Sequence, residues 1–335
     1  MNQVEEKRMQ ETTQQEVAGA TDMNGQFGVD GTRTARMDRA ALSEGWAEMN
    51  RLPRVIATLK MGAKTDLGRV RENNEDKFDF YEPEDPAVLA TKGSFYGVAD
   101  GMGGHNAGQI ACELALKTII QSYYAGPSPD AEACLRRAID EANALIFDTA
   151  QMIPDRHGMG TTLTAAIVRD DQLLIAQVGD SRAYLIRDGR ITQITQDHSW
   201  VAEQVRLGAM SLEEAQSSPF RNIITRSIGT AATIEADVTM HPLQVGDVLV
   251  LCSDGLSGHV DPGEIQRMVQ EHSPSVAAAR LVEQANERGG RDNITAMVLS
   301  VRAMTPYTAD AGLAESAAAD SHSSKAEKRG WGLRR

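Results

Sequence analysis

Two periodicities alternate along the chain, and they come in blocks. Residues 55–64 and 77–81 read as β-strands, and residues 93–99 form a short apolar run that stops at Asp100. Two helical patterns follow. Cys112, Leu116, Ile119, Ile120 and Tyr123 share one face of the first, and Cys134, Leu135, Ala138, Ile139, Ala142, Leu145 and Ile146 share one face of the second. A meander of strand-like segments then resumes with TTLTAAIVRD, QLLIAQVGD, SRAYLIRDG and RITQIT. Asp170-Asp171 and Asp188-Gly189 supply its hairpin turns. Residues 199–217 read as a polar helix. The strands ADVTMHPL and DVLVLCSDG, helices over 262–271 and 274–287, and a last strand NITAMVLSV complete the block. Strands in runs and helices in pairs predict an α+β domain with antiparallel sheets and helices packed outside, rather than βαβ units.

The flanks lack such order. Residues 1–52 are rich in Gln, Glu, Thr, Gly and Arg, which predicts a largely disordered extension with a short helix around Asp38–Asn50. Residues 304–335, basic at their end around Trp331, read as a disordered, solvated tail rather than a docking element. The folded domain is therefore expected over residues 53–303. Aromatic residues make up 4% of the 335 positions, so aliphatic side chains must build its core. A formal net charge of −13 argues against a general nucleic-acid binder, which needs a basic face. Cys112, Cys134 and Cys252 are widely spaced, so neither a disulfide framework nor a zinc cluster follows from them. Cys112 and Cys134 fall on apolar helix faces and read as core residues. No signal-peptide core and no apolar run of about 20 residues is visible, so the expectation is a cytoplasmic chain without membrane contact, monomeric by default.

The chemistry gathers at strand ends. An apolar strand runs into an aspartate three times: FYGVAD at Asp100, LLIAQVGD at Asp180 and VLVLCSD at Asp254. Asp292 in GGRDNITAMVLSV, and Glu75 with Asp76 in RENNEDKFDFY, stand at strand entrances. Strand ends are rigid, and carboxylates gathered there repel one another unless a cation holds them. All the candidate ligands are hard oxygens with no paired His or Cys, which selects Mg²⁺ or Mn²⁺ over zinc or copper. Two such ions, about 3.5–4 Å apart, suit in-line displacement at phosphorus. Gly101 would let its own carbonyl approach as a further ligand. Arg71, four residues before Glu75, offers a bidentate fork for phosphate, although taken alone it reads better as a surface arginine.

Six segments in order carry a resemblance: TDLGRVRENNED (65–76), VADGMGGHNAG (98–108), GMGTTLTAAIV (158–168), VGDSRAYLIRDGRITQITQDHS (178–199), LCSDGLSG (251–258) and RDNIT (291–295). Together they are similar to the PPM, or PP2C, metal-dependent serine/threonine protein phosphatases of bacterial type, over about residues 55–302. The resemblance implies a β-sandwich of two antiparallel sheets flanked by helix pairs, an αββα arrangement. It implies hydrolysis of phosphoserine and phosphothreonine by direct attack of a metal-bridging water. Asp76, Asp100, the Gly101 carbonyl, Asp254 and Asp292 would hold two ions, Mn²⁺ or Mg²⁺. Glu75 would act through water, and Asp180 matches a position associated with a third, weaker ion. Arg71 matches the phosphate-binding arginine, and His105 the histidine proposed as general acid, the alternative for His105 being a turn-shaping residue in a glycine-rich loop.

His198 matches a family motif but reads as structural, Cys252 as packing, and Thr161, Thr162 and Thr164 as strand residues. The segment Trp200–Gly229 matches a mobile flap, with Arg206, Arg221 and Arg226 as candidates for presenting a phosphopeptide. Ser218 stands where relatives often carry a histidine before Pro219. The implied partners are phosphorylated proteins and an opposing Ser/Thr kinase. A phosphatase-like binding scaffold without activity and a phosphoesterase for small phosphorylated metabolites are the competing readings.

Overall fold

The computed structural model describes residues 55–103 and 107–307. The predicted extension, its short helix and the tail beyond Tyr307 lie outside these residues, as does His105.

The first strand, β1 (Val55–Asp66), pairs along its whole length with the last, β12 (Ile294–Pro306), in antiparallel register from Val55 opposite Pro306 to Asp66 opposite Ile294. The chain thus closes on itself, and β12 continues past the expected boundary at residue 303. Beside β12 lie β11 (Val248–Cys252), β8 (Arg182–Arg187) and β9 (Arg190–Gln193), giving the order β1-β12-β11-β8-β9. The second sheet has the order β10-β7-β6-β3-β2, built from β2 (Lys77–Tyr81), β3 (Ser94–Ala99), β6 (Leu163–Arg169), β7 (Gln172–Val178) and β10 (Asp237–Pro242). A small ribbon, β4 (Gly101–Met102) with β5 (Gly160–Thr161), projects beyond β3 and β6. All pairings are antiparallel.

Side chains alternate between two buried faces, which explains why central strands read as unbroken apolar runs. In β3, Tyr96 and Val98 meet Leu249, Leu251, Met297 and Leu299 of the other sheet. Phe95 and Ala99 of the same strand point away, into a core shared with α2 (Ala107–Ala125) and α3 (Ala131–Met152). In β11, Val250 and Cys252 turn outward against α7 (Pro262–Glu271) and α8 (Pro274–Glu287). The layers run helices, sheet, sheet, helices, as the resemblance implied.

Three local readings change. The polar helix over 199–217 is two helices, α4 (Trp200–Arg206) and α5 (Leu212–Ser217). Gly208 takes a left-handed φ of +71° between them, and Ser211 starts the second with a capping box to Glu214. Leu145 is exposed, because Ala142 and Ile146 already fill the sheet-facing stripe of α3. A helix not anticipated, α1 (Pro86–Lys92), begins where Asp85 caps Ala87 and proline occupies the first turn. Among the described residues no helix is long and apolar enough to cross a membrane, and all three cysteines are unpaired and buried.

Candidate active site

Five strand termini deliver aspartates to one end of the sandwich. Asp100 follows β3, Asp180 follows β7 by one glycine, Asp254 follows β11 by one serine and opens the short helix α6 (Asp254–Ser257). Asp76 and Asp292 precede β2 and β12. Their charges act on one another. Burial pushes the Asp100 carboxyl well above the usual range, and the neighbouring Asp76, Asp254, Asp180 and Asp292 add to it. Burial raises Asp76, aided by Asp254 and Asp292 and opposed by hydroxyl contacts from Ser253 and Thr295. Asp180 and Asp254 are raised chiefly by burial as well. The structure therefore brings all five predicted aspartates into one field. Glu75, half-buried, is held at its backbone, where its N–H donates to Asn293 Oδ1 at 2.8 Å.

Each strand end is pinned by short polar side chains. Ser253 Oγ donates to Asp76 Oδ2 at 2.7 Å and accepts the Thr295 N–H at 3.0 Å, and Thr295 meets Thr65 hydroxyl to hydroxyl at 2.8 Å. Asn293 donates to the Leu67 and Asn73 carbonyls, both at 2.9 Å, so it fixes the loop that carries Arg71 and Glu75. The Asp100 N–H donates to Thr162 Oγ1 at 3.0 Å, and Thr162 in turn meets Ser181 at 2.8 Å beside Asp180. Sequence reading took Thr161 and Thr162 as plain strand residues and passed over Ser253, Thr65, Thr295 and Asn293. Ser253 and Asn293 carry the signal of adjacency to a candidate ligand; Thr65, Thr161, Thr162 and Thr295 carry none.

Gly101 has a role beyond that expected of it. A Cβ there would stand 2.3 Å from the Gly108 carbonyl oxygen, so backbone must pack on backbone where α2 crosses the strand end. Gly255 is similarly constrained, with a Cβ falling 1.9 Å from the Asn293 carbonyl oxygen. His198 is structural, as read. It accepts the Gly179 N–H on Nδ1 at 3.2 Å, and its Nε2 lies 3.1 Å from Asp237. Arg226 donates to the same Asp237 at 2.9 Å, while Arg206 and Arg221 are exposed. Ser218 is buried and accepts the Phe220 N–H, a turn-forming role. Arg71 reaches Asp292, with a guanidinium nitrogen 2.6 Å from Oδ2, and stays half exposed.

The donor set fits a hard divalent cation. Asp76 Oδ1, Asp180 Oδ1 and Asp254 Oδ1 are buried with no hydrogen-bond partner, a costly arrangement unless a ligand takes them. No group of three or more His, Cys, Asp or Glu among the described residues closes tightly around a single point. The orphaned oxygens weigh more heavily, because like-charged carboxylates have no reason to converge on their own.

The chain belongs to the Protein phosphatase 2C family, whose sequence profile matches residues 63–294. It is a metal-dependent protein serine/threonine phosphatase. It is 39% identical over 243 residues to the serine/threonine phosphatase stp of Listeria welshimeri, a match covering 70% of this chain and 93% of that protein. The crystal structure of the Mycobacterium tuberculosis serine/threonine phosphatase PstP/Ppp superposes with a TM-score of 0.66 at 37% identity, covering 73% of this chain and 99% of that one. The catalytic domain of PstP in complex with two manganese ions gives a TM-score of 0.64 at 36% identity, covering 73% and 99%. Its substrates are phosphorylated proteins.

Proposed function

We propose that Asp76, Asp100, the Gly101 carbonyl, Asp254 and Asp292 hold two ions, Mn²⁺ or Mg²⁺, with Glu75 acting through water and Asp180 serving a third, weaker ion. The observation that carries this reading is the set of orphaned buried oxygens on Asp76, Asp180 and Asp254. When bound, such ions supply an acidified water for direct attack at phosphorus and neutralise the phosphoryl charge. The protein's own groups do the rest. Arg71 exchanges its contact with Asp292 for the phosphoryl oxygens and fixes the phosphate in line; its half-exposed position supports that movement. His105, which follows the Asp100 loop in sequence, donates a proton to the leaving seryl or threonyl oxygen. The hydroxyl contacts of Ser253 and Thr162 keep the carboxylates from splaying apart.

The proposal extends to the surroundings. The folded unit is residues 53–303 together with the remainder of β12, flanked by segments outside the catalytic core. It acts as a monomer in the cytoplasm, opposing a Ser/Thr kinase, and three buried free thiols suit a reducing compartment. Intact carboxylates at every matched position speak against an inactive scaffold.

Phosphate release from a phosphothreonine peptide tests the proposal. Release with Mn²⁺, abolished by EDTA and by Asp254→Asn, is the expected result. Release that survives either treatment, or that occurs only with small phosphorylated metabolites, would contradict it.

A further inference from the structure

Helix α2 touches both carboxylate-bearing segments with residues one turn apart on a single face. Gly108 packs its backbone against Gly101, and four residues later Cys112 lies fully buried against the other segment. Cys112 Sγ donates to the Glu75 carbonyl at 3.1 Å, immediately before Asp76. The same sulfur stands 3.0 Å from Thr161 Oγ1. The Thr161 hydroxyl also lies near two carbonyls from different segments, that of Asp100 at 3.0 Å and that of Thr162 at 2.9 Å. The Asp100 carbonyl also accepts the Thr162 N–H at 2.8 Å. A thiol and a hydroxyl therefore tie the peptide preceding Asp76 to the segment that holds the peptide following Asp100, just past the last β2–β3 pair, Lys77 opposite Ala99. The thiol proton goes to the Glu75 carbonyl, the Thr161 proton to the sulfur, and the adjoining Thr162 N–H to the Asp100 carbonyl.

We propose that Cys112 is a positioning residue for the metal centre: through Thr161 it sets the spacing between the Asp76 and Asp100 segments. This rests on the reading of those two aspartates as ligands. An apolar residue of the same size would fill the space yet leave the Glu75 carbonyl without its donor and Thr161 without its neighbour. Past the Lys77–Ala99 pair the two segments would then lose this tie, and the ions would have to hold them in place at a cost in affinity. A serine would keep a donor at the same point. Cys112 is thus more than the core residue its apolar helix face implies.

The test uses the full chain stripped with EDTA, in wild type, Cys112→Val, Cys112→Ser and Thr161→Val forms. Calorimetric titration with Mn²⁺ reads affinity directly. Cys112→Val is expected to weaken Mn²⁺ binding by about tenfold, the lower end of what loss of a ligand-supporting contact costs. The Mn²⁺ concentration for half-maximal phosphopeptide hydrolysis should rise by the same factor, with a smaller loss in kcat at saturating Mn²⁺. Cys112→Ser should recover most of the affinity, and combining Cys112→Val with Thr161→Val should cost little more than the worse single change, because the two share one chain of contacts. Wild-type affinity in Cys112→Val, or equal impairment in the serine variant, would overturn the proposal. Should Cys112→Val fail to fold in EDTA, Thr161→Val decides: reduced affinity supports the bridge and unchanged affinity refutes it. Absence of Mn²⁺ uptake by wild type would instead fail the metal reading, and the positioning role with it.

Discussion

Strand β8 and its neighbour β11 join two ends of the molecule that treat buried carboxylates in opposite ways. At the far end, Asp247 is buried and saturated. Its two oxygens take Arg187 Nε at 2.7 Å and a terminal guanidinium nitrogen at 2.6 Å, and Oδ2 also accepts the Gln244 N–H at 2.8 Å. At the near end, Asp180 and Asp254 keep an oxygen with no partner at all. Arg182 could have neutralised that end, but it is spent on Asp197, with contacts of 3.0 and 2.6 Å. One end is built for stability; the other holds unmet bonding capacity that a cation can use.

The largest test of that contrast is a matched pair of substitutions. Asp254→Asn should reduce Mn²⁺-dependent phosphopeptide turnover roughly 10²–10³-fold, the scale of losing one strong electrostatic stabiliser, while leaving the metal-free fold at least as stable. Asp247→Asn should instead cost about 3 kcal/mol of stability by stranding the Arg187 charge, with turnover per folded molecule retained. Urea unfolding in EDTA and steady-state assays separate the two outcomes, and a destabilised Asp254→Asn would break the contrast.

Next comes pH. Burial raises Asp76 to about 7 and Asp180 to about 8, and lifts Asp100 and Asp254 as well. Between about pH 4 and those values the folded protein holds protons that the unfolded chain has released, so unfolding releases protons and stability must fall as pH rises. The EDTA-stripped protein should therefore melt several degrees lower at pH 8 than at pH 5, and saturating Mn²⁺, which favours the ionised carboxylates, should narrow that gap. A melting temperature of the stripped protein that climbs steadily over the same range would show the near end to be saturated after all.

Arg71→Ala should act mainly on substrate. A KM for phosphopeptide raised about tenfold, as expected for one lost charged hydrogen bond, would fit release of Arg71 from Asp292. An unchanged KM with weakened Mn²⁺ binding would assign Arg71 to holding Asp292 alone. The smallest effect is expected of Ser253→Ala, about 1 kcal/mol of stability in EDTA with weakened metal affinity, since it removes the donor to Asp76.

The near end was also the more legible in sequence. Apolar strands ending at Asp100, Asp180 and Asp254 declare themselves because a strand period and a carboxylate can both be seen locally. The contacts that hold those aspartates cannot. Thr65 and Thr295 lie 230 positions apart and meet only because β1 pairs with β12. Ser253, Thr161 and Cys112 satisfy ordinary strand or helix patterns, so their hydrogen bonds leave no trace in periodicity. Arg71 was legible as a candidate phosphate fork, but its contact with Asp292 depends on a loop held by Asn293 from the opposite end of the sequence. The helix split at Gly208 shows the reverse failure, where a polar pattern continued through a residue whose backbone does not.

The most direct measurement is Mn²⁺ stoichiometry on the EDTA-stripped full chain, by calorimetry with free Mn²⁺ followed by electron paramagnetic resonance. Uptake of about two ions per chain, as a two-metal site requires, and loss of tight binding in Asp254→Asn are predicted. No uptake, or the same uptake in Asp254→Asn, would contradict the assignment of the unpartnered aspartates as the metal centre.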